Sequence, residues 1–220
     1  MSAEVVYGRN AVAEAKRGRR RVHRVWTSPE LSADELTKLA GSPDHQGFVA
    51  EVDPYPYADP GSLLAADDAL VVALDQVQDP HNLGAICRTA EVLGASGVVI
   101  TARRAAGVTP AVCKASAGAV EHLAVARVGN LADWLTAVKG AGAWVYGAQP
   151  EAEISPEAVD LRDRAVIVVG SEGKGIRPRV AASCDAMVSI PRRGRVASLN
   201  VSAAAAVLLY EAMRQRRERP

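Results

Sequence analysis

Three short stretches gather the residues of this chain that carry chemistry: DPHNLGAICRTAEVLGASGVVI from Asp79, VVGSEGKGI from Val168 and IPRRGRVASLNVS from Ile190. Among their polar members, Asn82, Arg88, Glu172, Ser198 and Asn200 are the candidates for chemistry. The glycines of GSEGKG let backbone N–H and C=O groups approach a bound molecule closely, which suits a ligand gripped by main chain. The plainer reading is turn chemistry between two elements. Asn82 reads as a helix N-cap, and Arg88, six residues and nearly two helical turns later, offers a planar fork of donors suited to phosphate or a developing oxyanion. Its alternative is an i,i+3 ion pair with Glu91. Glu172 is either an acid that organises a glycine loop or a solvated loop carboxylate. Ser198 and Asn200 stand where an alanine-rich helix begins, so they can cap it while pointing at a ligand.

Other chemistries find no support. GSEGKGIR lacks the spacing of a phosphate-binding loop and the Ser or Thr after Gly-Lys, and Glu172 would repel a phosphate. There is no GxSxG elbow and no HExxH, and the four histidines are scattered without ligand spacing. Cys87, Cys113 and Cys184 are odd in number and set among apolar residues, which fits reduced, buried thiols better than disulfides or zinc.

The elements that must hold these stretches alternate. Ala69–Leu74 reads as a buried strand, Asn82–Leu93 as a helix, Val98–Ile100 as a strand, Thr109–Ala119 as a small-residue helix and Leu123–Val128 as a strand. Leu131–Lys139 reads as a helix and Trp144–Ala148 as a strand. Val166–Val169 and Met187–Ile190 are strands that end at Gly170 and Pro191, and the last helix runs to a basic C-terminus, RQRRERP. This order implies an α/β fold, a mostly parallel sheet with helices on both faces. Ahead of it, Asn10–Ala15, Val22–Trp26, Asp34–Leu39 and Gly47–Val52 read helix, strand, helix, strand. The proline-rich DPYPYADPG, Asp53 to Gly61, is the best linker. The expected division is residues 1–55, a linker 56–68 and a main domain 69–220.

A chain of 220 residues, 49% hydrophobic and 23% charged, is long enough for a main core and a small second unit, so disorder and fibre are excluded. No apolar run approaches a membrane span and MSAEVVYGRN lacks the core of a signal peptide, so the expectation is a soluble cytoplasmic protein without membrane contact. Net charge is only +1, yet KRGRRRVHR, Lys16 to Arg24, concentrates positive charge on what should be a surface turn. A solvated charge run and a phosphate-contacting patch both fit it.

The three stretches in this order resemble the motifs of the SpoU or TrmH-like branch of the SPOUT superfamily, the S-adenosylmethionine-dependent RNA ribose 2′-O-methyltransferases. Asn82 and Arg88 match the first motif, Gly170–Gly175 the second and Ser198–Ser202 the third. YGRNAVAEA and HQGFVAEV resemble the small L30e-like domain of bacterial 23S rRNA guanosine 2′-O-methyltransferases, though the chain is shorter than that domain between Trp26 and Gly47. The resemblance implies a deep trefoil knot in the C-terminal domain and a homodimer with its active site at the interface. It implies cofactor contacts from Gly170, Ile190 and Leu199, with Gly175 and Ser198 in the same loops and Ala148 under the adenine. It implies Arg88, Asn82, Glu172, Ser198 and Asn200 as the residues that handle the ribose and adjacent phosphate, with no metal needed. At least one of Arg192, Arg193 and Arg195 is expected to contact phosphate. The RNA would be 23S rRNA; a tRNA or another rRNA nucleotide, including a methylation that confers antibiotic resistance, is the alternative, and a noncatalytic RNA-binding module is a third reading.

Overall fold

The computed structural model describes residues 3–218. Its main sheet has six parallel strands in the order β6-β5-β4-β8-β7-β9: β4 (Leu70–Asp75), β5 (Gly97–Thr101), β6 (Val125–Val128), β7 (Trp144–Ala148), β8 (Ala165–Gly170) and β9 (Ala186–Val188). All pairings are parallel, so every strand ends at the same edge. The central strands β4, LVVALD, and β8, AVIVVG, are covered on both faces, which explains their unbroken apolar runs. Each fully buried Val, Leu or Ile there contributes about 1.5–3 kcal/mol of transfer free energy.

Helices cover both faces. α3 (Pro80–Val92) packs against α4 (Pro110–Ala115) and α7 (Val201–Arg217), while α5 (Leu131–Gly140) and the short α6 (Pro178–Ala181) lie together. The start of α3 differs from expectation. Asp79 is its N-cap, accepting from the His81 N–H at 2.8 Å, with Pro80 in the first turn where the missing N–H costs nothing. Asn82 therefore lies inside the helix, and its side chain is left to bond elsewhere. α4 stops at Ala115, short of Ala119, because Ala117 (φ 53°) and Gly118 (φ 88°) turn left-handed; a Cβ on Gly118 would come within 2.5 Å of the Glu14 side chain.

The first residues form a three-stranded antiparallel sheet, β1-β3-β2, from β1 (Glu4–Tyr7), β2 (Val22–Thr27) and β3 (Phe48–Val52). Around it lie α1 (Arg9–Ala15) and α2 (Ala33–Ala40), the latter closed by a Ser32/Glu35 capping box and a left-handed Gly41. The edge strand β1 has no counterpart in the sequence reading. Val6, Ala11, Val12, Ala50 and Val52 share one apolar cluster with Leu83, Cys113 and Val120, so the two sheets have a common core. The proline-rich segment between them is packed rather than loose: Tyr55 is buried and its hydroxyl donates toward the carbonyls of Val120 and Leu123.

The basic turn is only in part a surface patch: Lys16, Arg21 and Arg24 are exposed, whereas Arg20 is turned inward. Arg20 is only 5% exposed, with Nε bonded to Glu121 at 3.0 Å, Nη2 paired with the same carboxylate, and Nη1 3.3 Å from Glu4. Arg19 donates to the Leu123 carbonyl at 2.7 Å and Arg17 pairs with Glu14 at 2.8 Å. Arg19 and Arg20 thus join the turn to the main unit, and Arg17 folds back onto α1. Of RQRRERP, Arg219 and Pro220 lie outside the described residues.

Candidate active site

A cleft of about 600 Å³ opens at the strand ends, walled by the loops after β7, β8 and β9 and floored by the start of α7. Ala148, Gly170, Glu172, Gly175, Ile190, Ser198, Leu199 and Asn200 all line it. The loop after β8 folds back on itself, with Ser171 N to Gly175 O at 3.2 Å and Gly175 N to Ser171 O at 2.9 Å. A Cβ on Gly170 would sit 2.1 Å from the Gly175 carbonyl carbon, and Gly175 itself has φ 64°. The glycines are thus demanded by a backbone that approaches itself, which leaves main-chain groups at the mouth of the cleft.

The far end of that loop is tied down by a residue sequence reasoning missed. Asp75, wholly buried at the end of β4, accepts from the Arg177 backbone N–H at 2.8 Å and from its Nε at 2.8 Å, and forms an ion pair with its Nη2 at 2.7 Å. A buried carboxylate needs such donors. The signal was an aspartate ending an otherwise apolar strand.

Three predicted polar residues meet at the cleft. Asn82 donates from Nδ2 to Glu172 Oε1 at 2.9 Å, and Asn200 Nδ2 donates to Asn82 Oδ1 at 3.1 Å and also to Glu172 Oε1. Asn200 Oδ1 meanwhile accepts from Ser202 N at 2.8 Å and Ser202 Oγ at 2.6 Å, which caps α7. One asparagine therefore starts a helix and fixes the acid of the neighbouring loop. Ser198 lines the cleft without capping the helix; that role belongs to Asn200 alone.

Arg88 stands apart. It is exposed on α3, does not line the cleft, and has no hydrogen bond or ion pair with the described residues, Glu91 included. Arg192 is the opposite case: its Nη2 donates to the Pro150 carbonyl at 3.1 Å and its Nη1 to Ala197, so it straps two cleft loops together. Arg193 and Arg195 are exposed beside it.

The floor and walls of the cleft suit a bent, mixed-polarity ligand. Ala148, Val169, Ile190 and Leu199 supply apolar surface, and main-chain groups from the loops supply hydrogen bonding.

Comparison with known proteins gives a consistent result. The sequence pattern of the SpoU rRNA Methylase family matches residues 69–210. YacO of Bacillus subtilis, named as a TrmH-family tRNA/rRNA methyltransferase, is 38% identical over 239 aligned positions, covering 97% of this chain and 96% of that protein. Those positions outnumber the 220 residues of the chain, so the relative carries insertions that this chain lacks. An uncharacterized tRNA/rRNA methyltransferase of Synechocystis is 37% identical over 97% of this chain, which spans 63% of that relative's length. Among solved structures, the SpoU methyltransferase AviRb from Streptomyces viridochromogenes, in complex with the cofactor AdoMet, superposes with a TM-score of 0.83 at 27% identity, covering 100% of this chain and 92% of that one.

Proposed function

Because the chain belongs to the SpoU rRNA Methylase family, we propose that it is an S-adenosylmethionine-dependent RNA methyltransferase acting on a ribose 2′-hydroxyl, with a guanosine of 23S rRNA as its substrate. The observation that carries the reading is the junction of Asn82, Glu172 and Asn200 at the mouth of a cleft walled by the glycine loop and the SLN segment. The cofactor would lie against Ala148, Gly170, Gly175, Ile190, Ser198 and Leu199, and it supplies an electrophilic methyl group. This chain's part is positioning. A ribose hydroxyl is a weak nucleophile, and holding it in line with the methyl supplies much of the rate.

Glu172, with Oε1 fixed by two asparagine amides, orders the loop on the RNA side. Arg88 would bind the adjacent phosphate and stabilise the developing alkoxide; a guanidinium stays protonated, so this role needs no environmental shift. Its place outside the cleft lining fits a homodimer, in which Arg88 of the partner subunit reaches the site. The exposed faces of α3, with Arg88 and Val92, and of α7, with Val207 and Tyr210, support that interface. Val207 and Tyr210 are 41% and 57% exposed, costly for an apolar helix face left in water.

The same reading includes a knotted main domain, residues 69–220, behind an L30e-like unit, residues 1–55, and a linker, 56–68. The chain path supports the knot: β9 lies beyond β7 at the sheet edge, yet the helix that follows packs on α3 and β8. A cytoplasmic location accords with an RNA substrate, and among the described residues no helix is long and apolar enough to cross a membrane.

The test uses rRNA and tRNA from a strain lacking the gene, incubated with purified protein and methyl-labelled cofactor. Label on one ribose of 23S rRNA is expected, from a protein that sediments as a dimer. Label confined to tRNA would move the substrate, sedimentation at the mass of one chain would remove the shared site, and no label in either RNA would remove the activity.

A further inference from the structure

The turn between β5 and α4, residues 102–108, lies at the same sheet edge as the cleft, one strand away from the loop that leads into Asn82. It is pinned at both ends. Ala102 N donates to the Val128 carbonyl at 2.9 Å, Ala106 N to the Val77 carbonyl at 2.9 Å, and Val108 N to the Tyr57 hydroxyl at 2.8 Å. Thr101 Oγ1 donates to the Arg103 carbonyl at 3.0 Å, and Arg127, stacked 3.7 Å over the Tyr57 ring, fills the space where Gly107 has no side chain.

In the middle of this pinned turn stand Arg103 and Arg104, both exposed and without a side-chain hydrogen bond or ion pair to the described residues. Arg104 is held at φ 57°, a left-handed conformation that a non-glycine residue seldom adopts. By contrast, Arg17, Arg19 and Arg20 of the N-terminal turn are spent on protein partners.

We infer that Arg103 and Arg104 form a preorganised phosphate-binding surface for the RNA substrate, flanking the methylated nucleotide. The inference rests on the RNA methyltransferase reading. A rigid turn loses little conformational freedom on binding, so two arginines there contribute more than two on a mobile loop. Phosphate contacts fix register without reading sequence.

The experiment compares Arg103→Ala/Arg104→Ala with the parent on the same unmethylated rRNA, measuring both methyl transfer and direct RNA binding across a salt series. KM for RNA should rise on the order of tenfold with kcat within about twofold, and the slope of log affinity against log salt should flatten by roughly 1–2. Cofactor affinity should not move. The Lys/Lys double variant should keep most of the affinity, since phosphate reads charge, and Arg162→Ala, on the opposite edge, should match the parent. An unchanged KM and salt slope would overturn the surface, and a Lys/Lys variant as weak as Ala/Ala would replace phosphate contact with base readout. A parent that binds RNA but transfers no methyl would unseat the activity instead, and the salt slope of binding would still judge these two arginines.

Discussion

Arg88 and Cys87 are chain neighbours with opposite fates, because adjacent residues on a helix face different ways. Cys87 points into the core, and burial pushes its thiol up to about 12, so it is neither nucleophile nor ligand at neutral pH. Arg88 points out and finds no partner among the described residues. An unpartnered arginine on a helix whose first turns hold Asn82 against Glu172 and Asn200 is free for a ligand. Arg88→Ala should abolish methyl transfer while cofactor binding and the dimer survive. Arg88→Lys is the sharper comparison: it keeps the charge and loses the planar fork, so kcat should fall roughly tenfold to a thousandfold, on the order of 1.4–4 kcal/mol. Single-turnover rates across pH decide between roles. A lysine variant that climbs to the parent rate at high pH would mark this residue as a proton acceptor, and a fully active alanine variant would end both roles.

The loop after β8 keeps its shape through two elements that sequence separates by about a hundred residues. Asp75 ends β4, Arg177 precedes α6 as its N-cap, and the two hydrogen bonds and the ion pair between them anchor the exit of GSEGKG as β8 anchors its entry. Asp75→Asn removes the charge and turns an amide donor toward another donor. The expected loss is about 1.5–3 kcal/mol, a fall in Tm of roughly 3–12 °C for a chain of this size, together with cofactor affinity weaker on the order of tenfold. Calorimetry with and without cofactor measures both; an unchanged Tm and Kd would mean that the loop holds itself. No local pattern announces such a pair. What periodicity and turn residues do encode was legible: β7 falls where its apolar run lies, and most other strand and helix limits shift by only a residue or two. Asn200 and Glu172 were legible too, as polar residues where an apolar helix and a glycine loop begin. β1 was not, because EVVY is four residues long and gains its meaning only by pairing with β3. The cap of α3 was misplaced because two capping residues, Asp79 and Asn82, compete within one turn, and the proline at position 80 favours the first.

Across the whole molecule, the two sheets are joined by a charge pair that neither needs alone. The Arg20 and Glu121 side chains are 2% and 1% exposed, and Cys113 and the Tyr55 ring close around the guanidinium. Burial opposes the charge on Arg20, but Glu121 and Cys113 together outweigh it, so the guanidinium's pKa is raised above its ordinary value. Arg20 comes from a turn whose charge fits either a solvated run or a phosphate contact, yet the residue most central to that cluster serves as a bolt between the units. Removing one partner leaves an uncompensated buried charge, which costs about 3–5 kcal/mol, whereas replacing both with apolar groups of similar size is often neutral or stabilising. Glu121→Gln should therefore lower Tm by roughly 6–20 °C and separate an early transition of the N-terminal unit from the main one. Arg20→Met with Glu121→Leu should restore a single transition near the parent Tm. Scanning calorimetry of the three proteins distinguishes the outcomes. A Glu121→Gln variant that melts within about 2 °C of the parent would show that the shared apolar core alone unites the sheets, and a double variant no better than the single would assign the pair a specific geometry that packing cannot replace.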